Sequence, residues 1–96
     1  MTKTDPLPLL VTPAVEITNV YFSSYLNPST LNIEVKNPND LDRDITVGIY
    51  IDNYATSSPD ITINDTIPAN TTKTITKNVS ELNLSAGEHF VYCALQ

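Results

Sequence analysis

The chain of 96 residues has one cysteine, one histidine, two glycines and five basic side chains, and each scarcity closes off a class of protein. A single cysteine excludes an internal disulfide and any cysteine-rich metal framework, so Cys93 reads as a small apolar core residue. Lys3, Lys36, Arg43, Lys73 and Lys77 are scattered through a chain of net charge -6. No basic stripe is available to neutralise phosphates, and nucleic acid is not expected as a partner. The longest apolar run near the N-terminus, Leu9 to Val11, is far shorter than a spanning helix and lacks the basic flank of a leader. No membrane insertion is expected, and the chain reads as soluble and unprocessed.

The same poverty extends to chemistry. The two glycines form no phosphate-cradling loop, and His89 has no nearby serine or cysteine nucleophile in the sequence, so neither an enzyme nor a cofactor is expected. Asp40, Asp42 and Asp44 resemble the start of a calcium loop but lack its central glycine and distal bidentate acid, so they read as solvated loop acids, with a loose surface calcium site as the alternative. Glu34 and Glu88 have no spacing that pairs them.

What remains is a strand-forming chain. Seven prolines and many β-branched residues favour short strands separated by turns. Six segments follow. In residues 14–22, Val15 and Ile17 share one parity and Val20 and Phe22 the other, which calls for a bulge near Asn19. Residues 30–36 alternate Leu31, Ile33 and Val35 inward, and Asn37-Pro38-Asn39-Asp40 then breaks the strand. Residues 44–52 turn Ile45, Val47, Ile49 and Ile51 inward. After a turn at Ser57-Ser58-Pro59 come Ile61, Ile63 and Ile67 on one parity, then a strand over 71–80 with Ile75 and Val79 inward. Leu82 and Leu84 cap the core before a last strand in which Val91, Cys93 and Leu95 share a parity. This spacing predicts an all-β antiparallel sandwich of six to seven strands over residues 14–96, preceded by an arm at 1–13. Room exists for one core only.

Asn, Ser and Thr dominate a surface poor in Lys and Glu, which suits a protein displayed outside a cell. Asn64, Asn70, Asn78 and Asn83 each begin an N-glycosylation pattern, while Asn27 is disqualified by Pro28. All four are expected on the sheet opposite the third and last strands.

The order Ile33-Glu34-Val35-Lys36-Asn37-Pro38-Asn39, Val47-Gly48-Ile49-Tyr50-Ile51-Asp52-Asn53, Ile67-Pro68-Ala69-Asn70-Thr71-Thr72-Lys73-Thr74-Ile75 and Ala86-Gly87-Glu88-His89-Phe90-Val91 resembles immunoglobulin-like domains of the cell-adhesion-related (CARDB) type on archaeal and bacterial surface proteins. That resemblance implies a seven-stranded immunoglobulin-like sandwich with no fixed catalytic residues. Here nothing follows the strand ending at Leu95 that could supply the seventh.

A last strand with an open side exposes unpaired backbone groups. The segment Pro6-Leu7-Pro8-Leu9-Leu10-Val11 is a candidate cover, since Leu7, Leu9 and Val11 share one parity and Pro6 and Pro8 sit on the other, where a missing N–H is harmless. Donation to another subunit gives chains or rings; the alternative is that residues 7–12 begin an ordinary kinked first strand. Tyr50, Phe90 and Tyr92 are expected to form an exposed aromatic patch suited to an interface, with Gly48 making room for a ring. The reading is a non-enzymatic subunit of a virion surface, capsid or filament, located on an extracellular surface or virion. Its partners are copies of itself or other subunits of the same assembly. The runner-up is a monomeric adhesion or ligand-binding module that uses its end loops.

Overall fold

The computed structural model describes residues 6–9, 11–52 and 58–96; Lys3, Leu10, Asn53 and the first residue of the turn at Ser57 lie outside them. Among the described residues, six strands form two three-stranded antiparallel sheets. One has the order β1 (Glu16–Phe22), β2 (Thr30–Asn37), β5 (Thr71–Asn78), and the other the order β4 (Ile61–Ile67), β3 (Arg43–Ile51), β6 (Val91–Leu95). The chain is an all-β sandwich.

Alternation explains the layers. In β2, Leu31, Ile33, Val35 and Asn37 are fully buried while the residues between them are not. Val47 and Ile49 of β3 meet them, and Ile67, Ile75 and Leu82 complete the core. Each such aliphatic side chain contributes about 1.5–3 kcal/mol on leaving water. The bulge in β1 falls between Ile17 and Asn19, and the extra residue lets both Ile17 and Val20 pack on the core. Strand β5 is shorter than expected. Asn78 keeps an extended conformation, and Val79–Leu82 then wind into a 3-10 helix braced by a Lys77–Glu81 ion pair of 2.6 Å. This turn brings Leu82 down onto the core, as the sequence implied.

The two ends of the sandwich differ. At one, which carries the β2–β3 and β4–β5 connections, Asn37 is buried and its amide donates to the carbonyls of Leu41 (2.9 Å) and Ile67 (3.0 Å). Its Oδ1 accepts from the backbone N–H of Asn39 (3.0 Å), and Asn39 Nδ2 in turn donates to the carbonyl of Pro13 (2.9 Å). The start of β1 is thus pinned to this base. The opposite end, the crown, carries the β1–β2 loop, the 3-10 helix and the entry to β6.

Candidate interaction surface

The arm leaves the base and stands clear of the sandwich. Residues 6–9 and 11–15 pair with no strand among the described residues, and Leu7, Leu9 and Val11 are 89%, 86% and 80% exposed. A compact chain of this length has a radius of gyration near 12 Å, whereas this one measures 17.9 Å, with a long axis of 70 Å. Nine-residue β3 accounts for about 30 Å of that axis and an extended arm for about 30 Å more. The arm therefore continues the strand axis outward from the base. The kinked first strand is not what forms, because β1 begins only at Glu16.

At the other edge of interest, β6 pairs with β3 and with no other described strand. Phe90 C=O accepts from Asp52 N–H at 2.7 Å and Gln96 N–H donates to Thr46 C=O at 2.9 Å. Even-numbered residues therefore turn their backbone groups toward β3. By alternation, the N–H and C=O of Val91, Cys93 and Leu95 point to the open side. Their side chains, half-buried, face the core. Burial pushes the Cys93 thiol up to about 11.

Strand β3 does neighbour β6, with Tyr50 opposite Tyr92 and ring centroids 6.0 Å apart. The expected aromatic patch nonetheless needs correction, because Tyr50 is only 6% exposed. Gly48 leaves room not for a ring but for the Gln96 side chain and Pro59, which occupy the space a Cβ would take. Gln96 Nε2 donates to the Tyr50 hydroxyl at 3.3 Å. Phe90 and Tyr92 keep 72% and 37% exposure. Four apolar residues that the strand pattern did not single out are also open among the described residues: Tyr25 (81%) and Leu26 (77%) at the crown, Leu41 (67%) at the base and Tyr21 (43%) in β1. Tyr25 donates to Glu88 at 3.2 Å, which sets the β1–β2 loop beside the entry to β6.

The four sequon asparagines are exposed but do not share a sheet. Asn64 lies in β4, in the same sheet as β3 and β6, and accepts from the Thr46 hydroxyl at 2.7 Å. Asn78 ends β5 in the other sheet, while Asn70 and Asn83 adopt left-handed turn conformations (φ 55° and 54°). The expected division into one hydrophilic and one aromatic face therefore does not hold.

His89 has a neighbour that sequence spacing did not reveal. Nδ1 lies 2.7 Å from Asp52 Oδ2, and Nε2 lies 2.7 Å from the Ser85 carbonyl and 3.5 Å from the Ser85 hydroxyl. Both ring nitrogens face acceptors. The hydrogen bond to Asp52, helped by the Ser85 carbonyl, raises the His89 pKa above its ordinary 6.5, and the same bond, with the Phe90 N–H, lowers Asp52. When the ring is protonated, both nitrogens donate, Nδ1 to Asp52 and Nε2 to the Ser85 carbonyl. The cluster is a clamp at the crown, closing Asp52 onto Phe90 through a side-chain bond of 2.8 Å as well as the backbone bond.

The three loop acids are likewise spoken for. Asp40 accepts from Asn70 Nδ2 (3.0 Å), Asp42 from Ala69 N–H (2.9 Å) and Asp44 from the Thr66 hydroxyl (2.6 Å). They staple the β2–β3 segment to β4 and its turn. Glu34 and Glu88 lie far apart in the fold, one in mid-strand β2 and the other at the crown.

The chain matches no family model, no curated protein and no solved structure.

Proposed function

We propose that this protein is a non-enzymatic structural subunit of an extracellular assembly, a virion surface or capsid protein or a surface filament, that associates through its N-terminal arm. The observation that carries the reading is the arm. Leu7, Leu9 and Val11 hold one parity on a segment that leaves the fold and is at least 80% exposed at each. Burying them on a partner yields about 5–9 kcal/mol in all. That is comparable to the cost of bringing two molecules together, about 4–15 kcal/mol, so backbone pairing must add to it. The immunoglobulin-like, adhesion-related resemblance belongs to the same reading, as does the carbohydrate that Asn64, Asn70, Asn78 and Asn83 would carry on exposed positions.

A monomeric adhesion or ligand-binding module is the second reading, favoured by the exposed Tyr25 and Leu26 at a loop tip. Light scattering after size exclusion separates the two. The full chain and a version lacking residues 1–12 are compared across a concentration series. Oligomers of the full chain that become monomers on truncation are expected; two equally stable monomers would overturn the assembly and leave the binding module.

A further inference from the structure

We infer that the acceptor of the arm is the open edge of β6 in a second copy of this chain, entered antiparallel, so that subunits join crown to base in an open row. The inference rests on the assembly reading and names the partner surface, the direction of pairing and the symmetry.

The sandwich has two open flanks, and they are not alike. Along one, β4 and β5 approach each other, and Lys73 of β5 reaches Asp65 of β4 at 3.0 Å. A charged pair set between two edge strands is a device that discourages strand addition. Along the other flank β1 approaches β6, and the half-buried side chains there are Ile17, Val20, Val91, Cys93 and Leu95. No charged side chain of β6 interrupts this seam. An added strand here gains apolar contacts and backbone bonds together.

The backbone of β6 and the arm are complementary residue by residue. The edge offers the N–H and C=O of Val91, Cys93 and Leu95, whose side chains face the seam. The arm offers those of Leu7, Leu9 and Val11, whose side chains share one parity. Pro6 and Pro8 then fall on the outward side, where a strand needs no donor. An arm shifted by one residue would present proline nitrogens to the ladder and turn Leu7, Leu9 and Val11 to solvent.

Direction follows from the ends of the molecule. The arm leaves the base, and β6 runs from crown to base, since Ile51 pairs with Val91 and Val47 with Leu95. An arm descending from a subunit stacked above therefore meets β6 antiparallel, with Val11 beside Val91, Leu9 beside Cys93 and Leu7 beside Leu95. Two subunits joined base to base would place the arm parallel and close a dimer. Stacking crown to base is the arrangement that covers the exposed Tyr25, Leu26 and Phe90 of one subunit with the base and Leu41 of the next. A base-to-base dimer leaves the crown open. Because the contact joins unlike surfaces it propagates as an open row unless rotation closes it.

The test uses the full chain and oxidative crosslinking. Leu9→Cys, with the native Cys93, is expected to give a ladder of disulfide-linked multimers. In a Cys93→Ala background, the pairs Leu7→Cys with Leu95→Cys and Val11→Cys with Val91→Cys should give ladders. The pairs Leu7→Cys with Val91→Cys and Val11→Cys with Leu95→Cys should not. The reverse pattern, dimers without higher species, or crosslinks within one chain overturn the inference. As a check free of substitutions in β6, amide exchange at Val91, Cys93 and Leu95 should slow at least tenfold in the full chain relative to the version lacking residues 1–12. Equal exchange also overturns it. If the full chain assembles through its arm but neither crosslinks to β6 nor protects it, the acceptor is wrong and the assembly reading stands. If light scattering finds only monomers, the assembly reading itself fails.

Discussion

Replacing Asn37 by alanine tests the organisation of the base. This asparagine is fully buried and is the shared partner of the β2–β3 loop, the end of β4 and, through Asn39, the root of the arm. Truncation removes both buried bonds and leaves the Asn39 N–H unpaired, while the Ile67 carbonyl keeps its ladder neighbour Arg43. Losing a hydrogen bond costs about 0.5–1.5 kcal/mol and leaving a buried polar group unpaired about 1–3 kcal/mol, so Asn37→Ala should lose about 2–4 kcal/mol from a domain whose whole stability is about 5–15 kcal/mol. Urea unfolding followed by circular dichroism measures this. With a slope near 1 kcal/mol/M for so small a domain, the midpoint should fall by roughly 2 M or more. Asn37→Asp, which keeps the shape but swaps the donor for an acceptor facing carbonyl oxygens, should do no better. A loss below about 1 kcal/mol for both variants would refute the claim that one side chain organises this end.

Four further outcomes are expected. The Asp52–His89 clamp has a signed pH dependence. The raised His89 pKa gives stability that is complete below 6.5 and lost as pH rises through the folded value. The lowered Asp52 pKa gives stability present above 3.8 and lost as pH falls through its folded value. Thermal midpoints should therefore be highest between these limits, and His89→Gln should flatten the decline above pH 6.5. Cys93, with its thiol near 11, should react with a thiol reagent at pH 8 about a hundredfold more slowly than in the unfolded chain, where the ordinary value is 9.0; equal rates would show the thiol to be open. Gly48→Val should displace Gln96 and Pro59 from the outer face and cost about 1–3 kcal/mol, read by denaturant unfolding together with increased solvent quenching of tyrosine fluorescence. Leu9→Asp should change the stability of the isolated subunit by less than about 0.5 kcal/mol, because the residue is 86% exposed, while abolishing oligomers in light scattering.

Much of the fold was legible in the chain. Period-two alternation named Leu31, Ile33, Val35, Val47 and Ile49 as core, and the parity change around Asn19 located the β1 bulge, because side-chain direction in a strand is a local property. The parity of Leu7, Leu9 and Val11 against Pro6 and Pro8 was legible for the same reason. What alternation cannot report is what covers an outward side chain. Tyr50 has the outward parity, yet it is buried, with Gln96 hydrogen-bonded to its hydroxyl and Tyr92 beside its ring. The sequon asparagines illustrate the same limit, since which sheet receives β4 is a matter of strand order and not of pattern. His89 reads as an isolated residue in the sequence, yet Asp52 lies 2.7 Å away because β3 and β6 are paired. The chain's own pattern thus determined which residues form strands and which way each one faces, through steric preferences that act over a few bonds. The tertiary structure decided which edges stay open, which flank the Lys73–Asp65 pair closes and where the arm leaves the base, because these depend on contacts between residues far apart in sequence.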